Sequence, residues 1–297
     1  MRFGLSKRYC FAALLAGFVF LAACERDVPN AQLPEAGSKL AATCFISPQD
    51  TVLEAYVFQS FPIGGTVRNQ GVQIENATVT LSDGSRSVTL PFVKTFPNLP
   101  ISYSYRVSAK GFPIEAGKTY FLKVSVPDSR QVEAQCTVPA GNNTLSVQVD
   151  SSNASGFGGS SNNSKVYRYR YSWQDAPGRG DYYRVAGDVR DSLSRTSYTS
   201  GPLYWDGNDI VTDVGFDGTR LTTTSDGRYF QREGGRILYA YLLTTDEAYY
   251  RYHATLRQSR ESDSNPFAEP VLVYTNMKNG LGVFAAFNRH TLVVRLK

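Results

Sequence analysis

The chain has 297 residues, of which 42% are hydrophobic and only 19% are charged, a balance too apolar for a disordered protein. This length suggests two domains. Three of its 31 basic residues lie in a predicted leader, so 28 basic residues oppose 26 acidic ones in the mature chain and nucleic-acid binding lacks an electrostatic basis. A zinc site needs three or four ligands, and two histidines without a free thiol to join them are too few. We expect no enzyme activity, no metal and no cofactor.

Residues 1–23 have the organisation of a secretory signal peptide, in which a basic start precedes an apolar stretch at 11–21 that is too short to span a bilayer stably. The Leu-Ala-Ala-Cys sequence at 21–24 resembles a bacterial lipobox, which predicts that Cys24 becomes the acylated first residue. Several acyl chains would anchor the protein stably in a membrane. The alternative is an ordinary signal peptide. Residues 24–38 contain two prolines and no periodic pattern, which indicates an extended tether.

Residues 39–139 alternate between polar and apolar side chains, with turn residues every 8–15 positions, which predicts short strands. Seven such strands over about 100 residues are typical of an immunoglobulin-like β-sandwich. The first predicted strand places Leu40, Ala42, Cys44 and Ile46 on one face, and the others lie at 51–60, 77–82, 86–93, 101–108, 118–126 and 131–138.

Residues 140–297 predict a second antiparallel β domain, a sandwich or barrel with one covering helix near 245–260. Thr244 and Glu247 match a capping box, which predicts Thr244 as the helix N-cap. The Gly/Ser/Asn-rich stretch at 153–164 indicates a loop. Strands are predicted at 144–150, 167–173, 181–188, 228–231, 236–243, 281–287 and 291–296.

One predicted strand of this second domain has a wholly aromatic face. Tyr167, Tyr169, Tyr171 and Trp173 alternate with polar residues. In a barrel these rings would line the interior and face a ligand. The alternative is a packed core, which the sequence favours because buried Tyr and Trp are common where their polar tips find partners.

A group of acidic residues lies in the turns between 206 and 217. Asp206, Asp209, Asp213 and Asp217 offer carboxylates at short spacing. A calcium loop needs oxygen donors at its first, third and fifth positions, but the fifth position here is Ile210. Consecutive turns with solvated carboxylates are therefore favoured over a calcium site.

The C-terminal region carries a long and specific motif. It reads NPFAEPV at 265–271, VYTN at 273–276 and NGLGVF at 279–284, and it resembles the signature of the family known as domain of unknown function 4249. The AGKTY segment at 116–120 and the TVP segment at 137–139 agree with the same family. The similarity spans essentially the whole mature chain.

The resemblance implies an outer-membrane lipoprotein of Bacteroidota that acts as a non-enzymatic binding or accessory subunit of a TonB-dependent receptor. Glu25 and Asp27 directly follow Cys24 and resemble the acidic signal for export to the cell surface. Two alternatives are an envelope-assembly or adhesive module and a stand-alone carbohydrate- or peptide-binding lipoprotein. An exposed, coplanar Trp173 and Trp205 would favour the carbohydrate binder.

Two sites resemble the O-glycosylation sequence of exported Bacteroidota proteins, in which Asp precedes Ser or Thr and an aliphatic residue follows. They predict glycans on Thr51 and Ser192. Both positions follow strand ends or turns, where a surface glycan is accommodated.

Two cysteines, Cys44 and Cys136, remain in the mature chain besides the acylated one. By period-2 counting both face inward, on the first and last strands of the predicted sandwich. We expect these strands to run side by side, within reach of a bridge, in an oxidising compartment. The pattern therefore predicts a disulfide, and the alternative is two separately buried thiols.

Overall fold

The structure, a computed structural model, describes residues 37–60, 72–94, 103–153, 165–178, 180–191, 201–205, 209–230, 236–263, 267–269 and 271–296. Within these ranges the chain forms eighteen strands, one α-helix and a short 3-10 turn at Ala109–Gly111. The first nine strands are β1 (Leu40–Ile46), β2 (Val52–Gln59), β3 (Val72–Gln73), β4 (Thr78–Ser82), β5 (Ser87–Leu90), β6 (Phe92–Lys94), β7 (Tyr103–Ser108), β8 (Thr119–Ser125) and β9 (Gln131–Thr137). The later elements are β10 (Ser146–Asn153), β11 (Lys165–Gln174), β12 (Tyr182–Asp191), β13 (Gly201–Pro202), β14 (Ile210–Thr212), β15 (Arg220–Thr224), β16 (Arg228–Phe230), β17 (Arg236–Thr245), α1 (Glu247–Asp263) and β18 (Leu281–Leu296).

Three mostly antiparallel sheets make up the fold. Ten strands form the largest sheet, in the order β13-β12-β17-β18-β1-β2-β7-β6, with β14 beside β12 and β3 beside β2. The second sheet has four strands in the order β5-β4-β8-β9. The third sheet has the order β10-β11-β15, with β16 also beside β11. The second and third sheets each enclose a separate apolar core with the largest sheet. The predicted all-β class with sandwich packing is therefore confirmed.

The last strand, β18, connects the two halves of the largest sheet. Its residues 281–286 pair in parallel with β1, and its residues 287–296 pair antiparallel with β17. Met277, Phe284 and Ala286 are buried in the core between the largest and second sheets. This core, which the sequence placed within residues 39–139, is thus completed by side chains from the far end of the chain.

The strands differ from the sequence-based expectation in several places: β3, β13, β14 and β15 were not predicted, and two predicted regions divide differently. The strand predicted at 86–93 is divided at Pro91 into β5 and β6, which belong to different sheets. Proline has no N–H to donate to a ladder, so it is a natural point for the chain to change sheets. The two strands predicted at 281–287 and 291–296 are one continuous β18, because β17 pairs along its whole second part.

The helix begins later than predicted, and its N-cap is Asp246 rather than Thr244. Thr244 belongs to β17, whose pairing with β18 continues through Thr245. Asp246 Oδ1 accepts a hydrogen bond from the Tyr249 N–H (2.8 Å), and its Oδ2 accepts one from the Ala286 N–H (3.0 Å). One carboxylate therefore caps the helix and also attaches it to β18.

Helix α1 packs on the face of the largest sheet opposite the two sandwich cores. Tyr249 is buried there with Leu243, Val283 and Ala285, and Phe45 packs against them. Among the helices of the described ranges, none has the length and apolar character needed to span a bilayer.

Candidate functional site

The aromatic face predicted from the sequence lies in the core between the largest and third sheets. Tyr169, Tyr171 and Trp173 are fully buried, and Tyr167 is nearly so. The Tyr171 hydroxyl donates a hydrogen bond to the Ala186 carbonyl oxygen (3.2 Å). These rings pack with aliphatic side chains of the core, as the packed-core interpretation predicts.

The two tryptophans do not form the exposed platform that a carbohydrate binder would use. Trp173 is completely buried. Trp205 is half-buried and meets the Tyr171 ring edge-on, with ring centroids 5.4 Å apart and an interplanar angle of 80°. A sugar therefore has no pair of coplanar, exposed indoles to stack on.

The predicted disulfide between Cys44 and Cys136 is wrong, because both are buried free thiols. β1 is flanked in its own sheet by β18 and β2, and β9 lies at the edge of the facing sheet. β9 therefore does not pair beside β1, as the predicted bridge assumed. Burial raises the pKa of both thiols, which therefore remain protonated.

The predicted modification sites divide into described and undescribed positions. Thr51 is exposed in the turn between β1 and β2, where its carbonyl oxygen accepts a hydrogen bond from the Ala109 N–H (3.0 Å). Cys24, Ser192 and the loop residues 154–164 lie outside the described ranges. Lipidation and glycosylation stay predictions.

The family-like motif holds β18 against β1. The Asn276 side chain donates to the Phe284 carbonyl oxygen (2.7 Å) and accepts from the Phe284 N–H (3.0 Å). At Gly282, whose φ is +104°, an added Cβ would collide with the backbone carbonyl of Ala42. Gly280 is equally confined, by the Leu40 carbonyl. The motif therefore has a structural role, which is to allow two backbones to approach closely.

An open groove of about 570 Å³ lies beside this motif, on the outer face of the second sheet. Phe121 of β8 lies in it with 43% of its surface exposed. Lys123 Nζ is 3.6 Å from Glu133 Oε1, and the Lys278 N–H donates to the Glu133 carbonyl oxygen (2.8 Å). The groove is lined by Thr80, Ser82, Phe121, Leu122, Lys123, Glu133, Ala134, Gln135, Asn276 and Lys278.

Sequence reasoning missed this groove. Its walls come from β4, β8, β9 and a segment about 140 residues later in the chain. One signal was available in the sequence, because strict alternation in β8 places Phe121 on the outward face between the inward Tyr120 and Leu122. Aromatic side chains are enriched at interaction surfaces relative to the rest of the protein surface.

The acidic turns between 206 and 217 do not form one loop site. Asp209 makes ion pairs with Arg184 (3.1 Å) and Arg257 (3.2 Å), and Arg184 also donates to the Tyr249 hydroxyl (3.0 Å). Asp209 therefore ties α1 to β12. Asp213 is buried elsewhere, at the end of β14, and Asp206 lies outside the described residues.

His253 on α1 is a packing residue in this arrangement. Its ring stacks on Phe45 with centroids 5.4 Å apart and also contacts Tyr249. Burial, with a smaller effect of the Arg184 and Arg260 charges, lowers the pKa of His253 to about 3. The imidazole is therefore neutral at physiological pH.

Comparison with known proteins gives one finding. The family model described as domain of unknown function (DUF4249) matches residues 27–292. That range includes most of both cores, the groove and the motif that begins β18. No curated protein matches the chain significantly.

Proposed function

This chain belongs to the domain of unknown function 4249 family, and on that premise we propose that it is a lipid-anchored, surface-exposed outer-membrane protein that acts as a non-enzymatic binding subunit of a TonB-dependent transporter. Cys24 carries the anchor, and residues 24–38 form the tether. Family membership alone assigns no activity. The observation that supports a binding role is the groove beside the family motif.

The shape of the groove favours a polypeptide over an enclosed small molecule. Its volume of about 570 Å³ falls within the usual size of ligand sites, yet it is open along the outer face of a sheet. Exposed Phe121 supplies an aromatic anchor, and Lys123 and Glu133 supply charges of both signs next to it. Aromatic centres with polar rims are typical of protein–protein interfaces. We assign a loop of the transporter as the occupant.

The alternatives have less support. The stand-alone carbohydrate binder loses its expected indole platform, because Trp173 is buried and Trp205 is packed on Tyr171. An envelope-assembly or adhesive module would use the same groove for another envelope protein, and it is therefore an outcome of the experiment that follows.

The test is affinity purification of the full, acylated chain from membranes solubilised in a mild detergent. We expect a large outer-membrane barrel protein to copurify with the wild-type chain. Phe121→Ser should reduce its recovery several-fold, because the aromatic side chain projects outward and its loss leaves the core intact. The matched control is Val293→Ser, which changes an exposed apolar residue in another sheet and should leave recovery unchanged.

Recovery of the chain without any partner, under detergents that preserve other membrane complexes, would contradict the proposal. Recovery of a different envelope protein that is lost in Phe121→Ser would support the envelope-assembly alternative instead. Equal loss in Phe121→Ser and Val293→Ser would show that the groove is not the binding surface.

The anchor is tested separately. Replacing Cys24 by Ala should transfer the protein from the membrane fraction to the soluble fraction, because the acyl chains supply the membrane affinity. Retention of Cys24→Ala in the membrane after a high-salt wash would show that something else holds the protein there.

A further inference from the structure

Three aspartates from different parts of the chain meet at one end of the third sheet. Asp175 follows β11, Asp181 precedes β12 and Asp213 follows β14. One carboxylate oxygen from each lies within 4.8 Å of the other two. Asp175 and Asp213 are only 1% and 2% exposed, and Asp181 is half-buried.

The negative charge of this cluster is not balanced by a described basic residue. No ion pair within the described ranges involves any of the three aspartates; Arg179, in the intervening loop, lies outside those ranges. Burial, together with the charges of Asp175 and Asp213, raises the pKa of Asp181. Buried like charges are costly unless a cation joins them.

Each buried carboxylate uses one oxygen to hold a loop. Asp175 Oδ2 accepts from the Gly218 N–H (2.8 Å), and Asp213 Oδ2 accepts from the Gly180 N–H (2.8 Å). Asp175 Oδ1 is also buried but has no hydrogen-bond partner. Burial, and then a side-chain hydrogen bond with Asp175, raise the pKa of the neighbouring Tyr183 hydroxyl.

A cavity of about 350 Å³ adjoins the cluster and holds a second unpaired polar atom. Asp175, Asp181 and Thr244 line it. The Thr244 side chain is 7% exposed, and its Oγ1 has no hydrogen-bond partner. The cavity therefore contains buried oxygen atoms that have no hydrogen-bond partner, and it has room for several water molecules.

We propose that Asp175, Asp181 and Asp213 bind one calcium ion. All three donors are oxygen atoms, which calcium and magnesium prefer. Calcium–oxygen distances of about 2.3–2.6 Å allow two ligands of one ion to lie up to about 5 Å apart, which suits the observed separations. Water in the cavity completes the coordination. The ion would fasten the residues around Asp175 and Asp181 to the loop at 213–219, independently of the groove and its partner.

The experiment uses the full chain in detergent, stripped of metal with a chelator and then titrated with CaCl₂. We expect one bound ion per chain with a Kd of about 10⁻⁴–10⁻³ M, the range of extracellular calcium modules. At 10 mM calcium the Tm should rise by roughly 3–10 °C. MgCl₂ at the same concentration should give a much smaller rise. No stabilisation by calcium, or equal stabilisation by magnesium, would overturn the proposal.

Two variants distinguish a specific calcium site from nonspecific attraction of calcium by surface carboxylates. Asp181→Asn removes a ligand whose side chain makes no described hydrogen bond, and it should weaken calcium binding at least tenfold. Asp217→Asn is the matched control. Asp217 lies in the same loop as Asp213, and its side chain accepts a hydrogen bond from the Gly178 N–H (2.8 Å). This substitution should change affinity by less than about threefold. Equal losses in both variants would contradict a specific site.

The assignment stays testable if Asp181→Asn does not fold. Terbium bound at the site of the wild-type chain should luminesce when Tyr183, which lines the same cavity, is excited. Calcium should displace the terbium and abolish the emission. Emission that a large excess of calcium does not lower, or the absence of any emission, would overturn the proposal.

Discussion

The two cores of this protein are filled by different kinds of side chain, although they share one sheet. The core under the second sheet is mainly aliphatic, with two thiols, and contains Leu53, Val79 and Leu122 among others. The core under the third sheet is richer in large rings, such as Tyr171 and Trp173. Strand β18 contributes to both, through Phe284 in the first and Val294 in the second.

This difference shows two ways of stabilising similar sandwiches. The aliphatic core depends on close approach of backbones, because Gly282 near the start of β18 lies directly against β1. The aromatic core depends on the volume of a few rings, of which Trp173 is the largest. Substitutions that add atoms at the β1–β18 contact should therefore destabilise the aliphatic core most. Substitutions that remove a ring should destabilise the aromatic core most.

The largest effect is expected at Gly282. In Gly282→Ala the new methyl group meets the Ala42 carbonyl, which cannot move without breaking the β1–β18 pairing, and φ at this position is +104°. The free energy of unfolding should fall by more than about 4 kcal/mol. Urea denaturation followed by circular dichroism measures it.

Gly117→Ala is the control for this substitution. Gly117 also has a positive φ, +79°, but no atom lies within 4 Å of its added Cβ. It should cost only about 1 kcal/mol of conformational strain. Equal effects of the two substitutions would show that close approach to β1 is not the cause.

The next largest effect is expected from Trp173→Ala, which empties the centre of the aromatic core. The loss should be roughly 3–4 kcal/mol, from lost burial and the cavity that remains. Because β18 joins both cores, we expect one cooperative transition in which near-ultraviolet circular dichroism and tryptophan fluorescence coincide. Two separate transitions would show that the cores unfold independently.

A smaller effect concerns Asp246, which links α1 to β18 on the opposite face of the sheet. Burial raises its pKa from 3.8 to about 6, so the folded state holds a proton that the unfolded state releases at lower pH. Stability supplied by this group is therefore full below about pH 4 and is lost as the pH rises to 6. Asp246→Asn should reduce the fall in unfolding free energy between pH 4 and pH 6 by roughly 1–3 kcal/mol.

Urea midpoints at several pH values measure this dependence. Asp50 has a raised pKa of about 6 for the same principal reason, so some of the fall should remain in the variant. An unchanged pH dependence in Asp246→Asn would show that the Asp246 carboxylate does not titrate in this range.

The smallest effect is expected from a reducing agent. Cys44 and Cys136 are free and buried, so dithiothreitol should leave the Tm unchanged within about 1 °C. Labelling of the acylated mature chain in denaturant without reductant should modify two thiols. No reactive thiols would mean that the two cysteines are bridged after all.

The sequence by itself determined the local structure and the family. Period-2 alternation placed Tyr120 and Leu122 inward, and the same pattern identified the aromatic strand from Tyr167 to Trp173. These signals are local because they follow from backbone geometry. The motif that ends in Phe284 could also be recognised in the sequence, and the match to the family model agrees with that assignment.

Only the tertiary structure decided which distant segments meet. The parallel pairing of β18 with β1 joins residues about 240 positions apart, and it occupies the place beside Cys44 where the sequence predicted a neighbouring strand. The same long-range closure assembles the groove, and it brings Asp213 to Asp175 and Asp181. Strand alternation specifies which face a side chain occupies, but strand order depends on the burial of whole faces against each other, which no local pattern encodes.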